Sequence, residues 1–162
     1  MALQNGQHAP DFTLYDTERN KVTLSEQRGS NVLLLFFPAA FTSVCTAELC
    51  SVRDNIAQYN EANAKVFGIS VDSLFTLGRY KEDQGLNFPL LSDFNKDVSK
   101  AYGALYDTFA FDMQGVSKRA AFVIDSEGLI QYAEVLENAG EQPDFKNIYA
   151  ALNSRNEAKA LL

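Results

Sequence analysis

Cys45 and Cys50 are the residues of this chain whose type and spacing best support chemistry. Cys45 closes the segment Pro38-Ala39-Ala40-Phe41-Thr42-Ser43-Val44-Cys45, directly after the apolar run Asn31 to Phe37. A thiol attacks as its thiolate, and a free cysteine with a pKa of about 8.5 is mostly protonated at neutral pH unless a helix N-terminus or a cation lowers it. Pro38 cannot continue a strand, Thr42 and Ser43 can cap a helix, and Thr46-Ala47-Glu48-Leu49 begins a helical pattern. Cys45 is therefore predicted in or just before a first helical turn, where unpaired N–H groups and the positive dipole end favour an anion.

Other uses of these residues are weaker. Two cysteines and the single histidine, His8, leave a zinc site short of soft ligands. His8 is also the only histidine available as a general base for hydrolysis, and its polar N-terminal segment reads as surface. Two cysteines five apart form no secreted disulfide framework, and in a reducing compartment such a pair is more often catalytic or metal-binding than structural. The N-terminal residues Met1 to Gly6 lack the basic start and apolar stretch of a secretory signal, which predicts a cytoplasmic protein. No apolar run is long enough to span a bilayer. The formal charge of −7, with scattered lysines and arginines, argues against nucleic acid and anionic membranes as partners.

The elements that must position the thiols follow from periodicity. A chain of 162 residues with 46% hydrophobic and 22% charged residues is predicted to form one globular domain, 1–162. Phe12 to Tyr15 and Lys21 to Leu24 read as an N-terminal hairpin around a polar turn. Asn31 to Phe37 is almost continuously apolar, as in a strand buried on both faces of a sheet. Leu49, Val52, Ile56 and Tyr59 recur at helical spacing, predicting one helix over Thr46 to Tyr59 that crosses to a parallel strand at Ala64 to Val71. Ser73 caps a second predicted helix to Asp83, Phe88 to Asp93 reads as an extended connection, and Asn95 to Tyr102 as a short helix. Gly103 to Lys118, with Tyr106, Phe109 and Phe111, is weakly patterned and reads as an irregular excursion able to form a partner surface. Ala120 to Ile124 and Leu129 to Val135 flank a turn with Gly128, an antiparallel hairpin. Pro143 to Leu152 reads as a last helix, with 153–162 as a polar tail. This order describes an α/β domain of thioredoxin-like plan, with a mixed central sheet and helices on both faces.

Residues Pro38 to Cys45 match the Pro-x-x-x-Thr/Ser-x-x-Cys signature, so the chain resembles the peroxiredoxins, thiol peroxidases built on the thioredoxin fold. It is similar to the bacterioferritin-comigratory, or Q-type, proteins and to the alkyl hydroperoxide reductase E type. The resemblance runs through Val52-Arg53-Asp54-Asn55, Gly68-Ile69-Ser70-Val71-Asp72, Phe88 to Asp93, Tyr102-Gly103, and Arg119 leading into Phe122-Val123-Ile124-Asp125. It implies that Cys45 is the nucleophile and becomes a sulfenic acid in reducing hydrogen peroxide and organic hydroperoxides, with no metal, haem or flavin. Thr42 lies one turn before Cys45, so its hydroxyl can turn toward thiolate and peroxide; a plain helix cap is the alternative. Pro38 would shield the site, or simply end a strand. The resemblance places Arg119 beside Cys45 as the cation that activates the thiol and binds peroxide, a residue that its own surroundings do not single out. Glu48, on the helix face of Cys45, would then hold Arg119 in place, unless it is a solvated surface carboxylate.

The resemblance to a Q-type enzyme implies that Cys50 resolves the sulfenic acid in a Cys45–Cys50 disulfide, which thioredoxin or a similar thiol would reduce. Residues five apart on a helix have Cα atoms about 8.5 Å apart, beyond the roughly 7 Å limit for a disulfide, so such a bond requires the helix start to unwind. A buried structural Cys50 in a one-cysteine enzyme is the alternative. Two further readings stay open: a thiol–disulfide oxidoreductase, against which stands the lack of Cys-x-x-Cys, and a non-catalytic binding module. Many relatives dimerise through the side of the 103–118 excursion, so a homodimer is a further expectation.

Overall fold

The computed structural model describes residues 2–160, with side chains described up to residue 153. Its centre is a seven-stranded sheet of order β2-β1-β5-β4-β3-β6-β7. The strands are β1 (Thr13–Asp16), β2 (Lys21–Thr23), β3 (Asn31–Phe36), β4 (Ala64–Ser70), β5 (Leu90–Ser92), β6 (Arg119–Ile124) and β7 (Ile130–Leu136). The helices are α1 (Ser43–Asp54), α2 (Ile56–Glu61), α3 (Leu74–Gln84), α4 (Asp97–Ala101) and α5 (Phe145–Ala160).

All six residues of β3 are buried, as its continuous apolar run requires of a strand covered on both faces. Alternate residues serve two separate cores. Leu33, Leu35 and Phe37 meet Leu49 and Val52 of α1, Tyr59 of α2, Leu77 and Tyr80 of α3, and Ile148 and Leu152 of α5. Val32, Leu34 and Phe36 point the other way, to Phe12, Val98, Tyr102 and Phe122. Helices thus cover both faces, α1, α2, α3 and α5 on one and α4 on the other, in agreement with the thioredoxin-like expectation. The crossover from β3 through α1 and α2 to β4 returns the chain parallel, with Leu33 opposite Val66 and Leu35 opposite Gly68.

Three segments differ from their sequence reading. The single helix expected over Thr46 to Tyr59 starts three residues earlier and breaks at Asn55, where φ/ψ of −115°/19° leave the helical region. The Asn55 side chain donates to Ser51 O at 2.8 Å, a local bond that competes with continuation of the helix. The extended connection of Phe88 to Asp93 contains a true strand, β5, because residues 90–92 pair in parallel with Gly68–Ser70 of β4 and antiparallel with β1. That pairing makes the N-terminal hairpin an extension of the main sheet. The last helix continues through 153–160, where a polar tail was expected, since no glycine or proline interrupts it; residues 161 and 162 lie outside the described residues.

The excursion from Gly103 to Lys118 is irregular, as expected, but its ends are pinned. Leu105 bridges Ser117, and Tyr106 N–H donates to Val116 O at 2.8 Å. At its tip a single 3-10 turn, 110–112, holds Phe111 and Asp112 at positive φ and leaves Phe111 94% exposed.

Candidate active site

The chain leaves β3 at Phe36, and Phe37 N–H still donates to Ile69 O before Pro38 ends the pairing. The next residues form a short loop held at two points. Ala40 N–H donates to Asp72 Oδ2 at 2.8 Å, and Asp72 is itself fixed by the Ser70 hydroxyl at 2.7 Å. Phe41 adopts φ 68°, a left-handed conformation that costs a non-glycine residue about 1–3 kcal/mol and has to be held by its surroundings. Its ring lies edge-on to Tyr80 at 5.0 Å.

Helix α1 then begins at Ser43, which places Cys45 inside the first turn. Thr42 occupies the N-cap position with extended backbone, yet its side chain makes no capping bond; its hydroxyl donates back to Ala39 O at 2.8 Å. Both sequence readings of Thr42 are thereby adjusted: it neither caps with its side chain nor points its proton at Cys45. Ser43 is likewise the first helical residue and not the cap. An uncapped helix start leaves the first-turn N–H groups and their partial positive charge free to act near Cys45.

Cys45 is 1% exposed and a free thiol. Arg119 reaches it through sheet register. Strand β6 runs antiparallel to β3 with Ala120 opposite Phe36, so the first residue of β6 stands beside the end of β3, where the Cys45 loop departs. Arg119 shares its sheet face with Ala121 and Val123, which pack in the α1 core. Its Nη2 donates to Cys45 Sγ at 3.3 Å and to Ala139 O at 2.9 Å, while Nη1 donates to Glu48 Oε2. One planar guanidinium therefore addresses thiol, carboxylate and backbone together, which a lysine point charge could not do.

Arg119 and Glu48 are 1% and 0% exposed, so Glu48 is not the solvated surface carboxylate of the alternative reading. Among the described residues Glu48 Oε1 and Arg119 Nε have no hydrogen-bond partner, an incomplete compensation for taking two charges out of water. Burial pushes the Glu48 carboxyl up to about 7 despite the opposing pull of Arg119. Burial works against the Arg119 charge, but Glu48 and Cys45 beside it outweigh that and hold its pKa above the ordinary value. An unfolded Glu48 titrates near 4.5, so from there to about 7 the folded protein keeps a proton that the unfolded chain has released. Folding stability then falls as pH rises through that window. Glu48→Gln is expected to flatten this fall, read from urea midpoints at a series of pH values; an unchanged slope would mean that Glu48 is charged throughout.

Thr42, Ser43, Val44, Cys45 and Arg119 line a cavity of about 250 Å³. Pro38 is buried and lines it too. Phe109, Ala139 and Gly140 complete the lining, and none of these was expected at the site. Phe109 comes from the excursion, where its ring lies 4.9 Å from that of Tyr106. Ala139 meets Arg119 through its carbonyl, a backbone contact that carries no signal in the sequence.

Cys50 lies apart, half-buried on another side of the same unbroken helix. Its Sγ stands 3.7 Å from Gln84 Oε1 at the end of α3. Beyond it Arg53 Nη1 donates to Gln84 O, and Asn87 Nδ2 donates to Arg53 O at 3.2 Å, so the far end of α1 is tied to the chain after α3. His8 is exposed, as expected of a surface residue, and takes no part in the site.

The mixed sheet and the buried thiol at the head of α1 define a thiol enzyme of thioredoxin-like fold. Residues 5–133 match the AhpC/TSA family, and the chain belongs to that family. It is 40% identical over 145 residues to alkyl hydroperoxide reductase E of Mycobacterium tuberculosis, covering 88% of this chain and 91% of the relative. Among solved structures it is similar to peroxidoxin BcpB of Mycobacterium tuberculosis, with TM-score 0.83, 28% identity and coverage of 94% of this chain and 97% of the other. It is similar also to the reduced 2-Cys peroxiredoxin of Plasmodium vivax, with TM-score 0.85, 29% identity and coverage of 98% and 84%. As a member of this family the protein is a thiol-dependent peroxidase.

Proposed function

We propose that Cys45 is the peroxidatic nucleophile and that Arg119, held by Glu48 and Ala139 O, is the group that activates it and receives the peroxide. The observation that carries this reading is the buried Cys45–Arg119–Glu48 set opening on a small, largely apolar cavity. The Cys45 thiolate attacks the terminal oxygen of a hydroperoxide; the S–O bond forms, the O–O bond breaks, and the departing alkoxide or hydroxide takes up a proton. The Arg119 donors and the first-turn N–H groups of α1 lie where negative charge moves during that transfer. Thr42 stands on the cavity wall, and rotation of its hydroxyl away from Ala39 O would turn it to the bound peroxide. Pro38 and Phe109 keep water from the sulfur. Hydrogen peroxide and organic hydroperoxides are the substrates, in keeping with the name of the alkyl hydroperoxide reductase relative.

Cys50 then resolves the sulfenic acid: its sulfur displaces the hydroxyl of Cys45–SOH, and water leaves as the disulfide forms. Two free thiols in one chain, both within reach of α1 rearrangement, support this step. Thioredoxin or a similar dithiol returns the two electrons, which places the enzyme in a reducing compartment such as the cytoplasm. No helix among the described residues is long and apolar enough to cross a membrane. The exposed Phe41, Phe111 and Met113 around the site support a homodimer through this side.

Mass spectrometry of the reduced protein treated with one equivalent of hydrogen peroxide tests the scheme. Loss of both thiols and a Cys45–Cys50 cross-linked peptide are expected. A stable sulfenic or sulfinic acid on Cys45, with Cys50 still alkylatable, would instead identify a one-cysteine enzyme.

A further inference from the structure

Cys45 and Cys50 sit on one continuous helix, so whatever holds its first turn closed controls how fast they can meet. Cys45 ties the first turn to Arg119 and to the core, and Thr46 gives it further attachments. Thr46 donates its hydroxyl proton to Thr42 O at 2.7 Å, and the Thr46 N–H donates to the same oxygen at 3.0 Å. That hydroxyl has a single proton. The 2.9 Å contact between Thr46 Oγ1 and Tyr80 Oη is therefore a bond donated by the tyrosine. Tyr80 lies on α3, is 0% exposed, and also receives the edge of Phe41, the residue in left-handed backbone just before the turn. Burial pushes its phenol up to about 12, with Cys45 and Cys50 adding to the rise, so the phenol keeps its proton at working pH.

We propose that Tyr80 is a positioning residue that latches the first turn of α1, and that release of its hydrogen bond to Thr46 sets the rate at which Cys45 moves to Cys50. The second half rests on the resolving role of Cys50. Tyr80 touches the turn from outside, on an element that need not move, and its bond ends on Thr46, beside the nucleophile. Chemistry on the peroxide uses the closed turn, whereas disulfide formation needs the open one. The latch therefore favours the first step at the expense of the second, and it lengthens the life of the sulfenic acid, the species that a second peroxide oxidises to sulfinic acid.

The test is Tyr80→Phe, which removes one oxygen and keeps the ring against Phe41. Loss of one hydrogen bond predicts about three- to tenfold faster conversion of sulfenic acid to disulfide in acid-quenched samples. Sulfinic acid formed in excess peroxide should fall by a similar factor, and the initial loss of the Cys45 thiol should stay within about twofold of wild type. Amide hydrogen exchange over residues 46–49 of the reduced protein, whose N–H groups are the first to bond within α1, should rise by the same factor. Tyr102→Phe is the control: its hydroxyl, on the other face of the sheet, donates to Pro10 O at 2.6 Å, and its loss should leave the disulfide rate unchanged. A disulfide rate in Tyr80→Phe equal to wild type, or equal acceleration by Tyr102→Phe, overturns the proposal. Absence of a Cys45–Cys50 disulfide in the wild type overturns the resolving role instead. Exchange at 46–49 then decides the latch by itself, and unchanged exchange there sinks it whatever Cys50 does.

Discussion

Cys45→Ser is expected to abolish peroxide consumption, lowering it by at least about 10³–10⁴-fold to the level of the background reaction. Serine differs from cysteine by one atom and fits the same 1% exposed position, so the variant should fold and keep the cavity. What it loses is the nucleophile. A hydroxyl is a far weaker acid than a thiol, and among the described residues no histidine or other general base is hydrogen-bonded at this position to deprotonate it; the neighbouring donors are a guanidinium and helix N–H groups, which give protons and do not take them. Cys50→Ser should by contrast retain the first, rapid oxidation of Cys45 and lose turnover with the reductant. Stopped-flow mixing of each reduced variant with hydrogen peroxide separates the two. Rapid oxidation surviving in Cys45→Ser would overturn the assignment of the nucleophile.

Arg119→Met should be the next most damaging change, slowing Cys45 oxidation by about 10²–10³-fold, the effect of removing a buried donor aimed at developing charge. It also carries a folding cost, because Glu48 is left in the core without its cation. Stranding a buried charge costs about 3–5 kcal/mol, and protonation of Glu48 relieves part of it, so the loss of stability should be smaller at pH 5 than at pH 8. The two effects separate in the double variant Arg119→Met with Glu48→Gln. That protein should regain stability, measured by urea unfolding, while its reaction with peroxide stays slow. Recovery of both together would mean that Arg119 acts through folding alone. Arg119→Lys should lie between wild type and Met, since an ammonium cannot serve Cys45, Glu48 and Ala139 O from one rigid fork.

The parts of the fold that were legible in the sequence are those whose periodicity reports burial directly. Strand β3 could be read because every residue of it after Asn31 is apolar, and the turn after it because Pro38 and the Thr42-Ser43 pair mark the end of a strand and the start of a helix. Strand β5 was not, because three residues carry no periodicity and become a strand only by pairing with β4 and β1. The break at Asn55 stayed hidden for a related reason: Leu49, Val52, Ile56 and Tyr59 keep one apolar stripe across it, and the stripe records the buried face but not the backbone. At the site, Cys45 carries its own signal. Arg119 does not, for its position depends on the antiparallel register that sets Ala120 against Phe36, which resemblance alone had pointed to. Phe109 and the Ala139 carbonyl reach the cavity through loops, one from an irregular excursion and one from backbone, and neither leaves a pattern to read.

The tie between Arg53 and the chain after α3 has a consequence for how far an oxidation event can spread. Helix α1 has 12 residues, and removal of its first turn leaves about two turns, too short to persist in water on propensity alone. The bonds from Arg53 to Gln84 O and from Asn87 to Arg53 O anchor that remnant at its far end, and the break at Asn55 uncouples it from α2. Fraying from the Cys45 end therefore meets a fixed stop before it reaches the crossover to β4. The catalytic cycle can melt and rebuild one end of a helix while the sheet beneath it keeps its register.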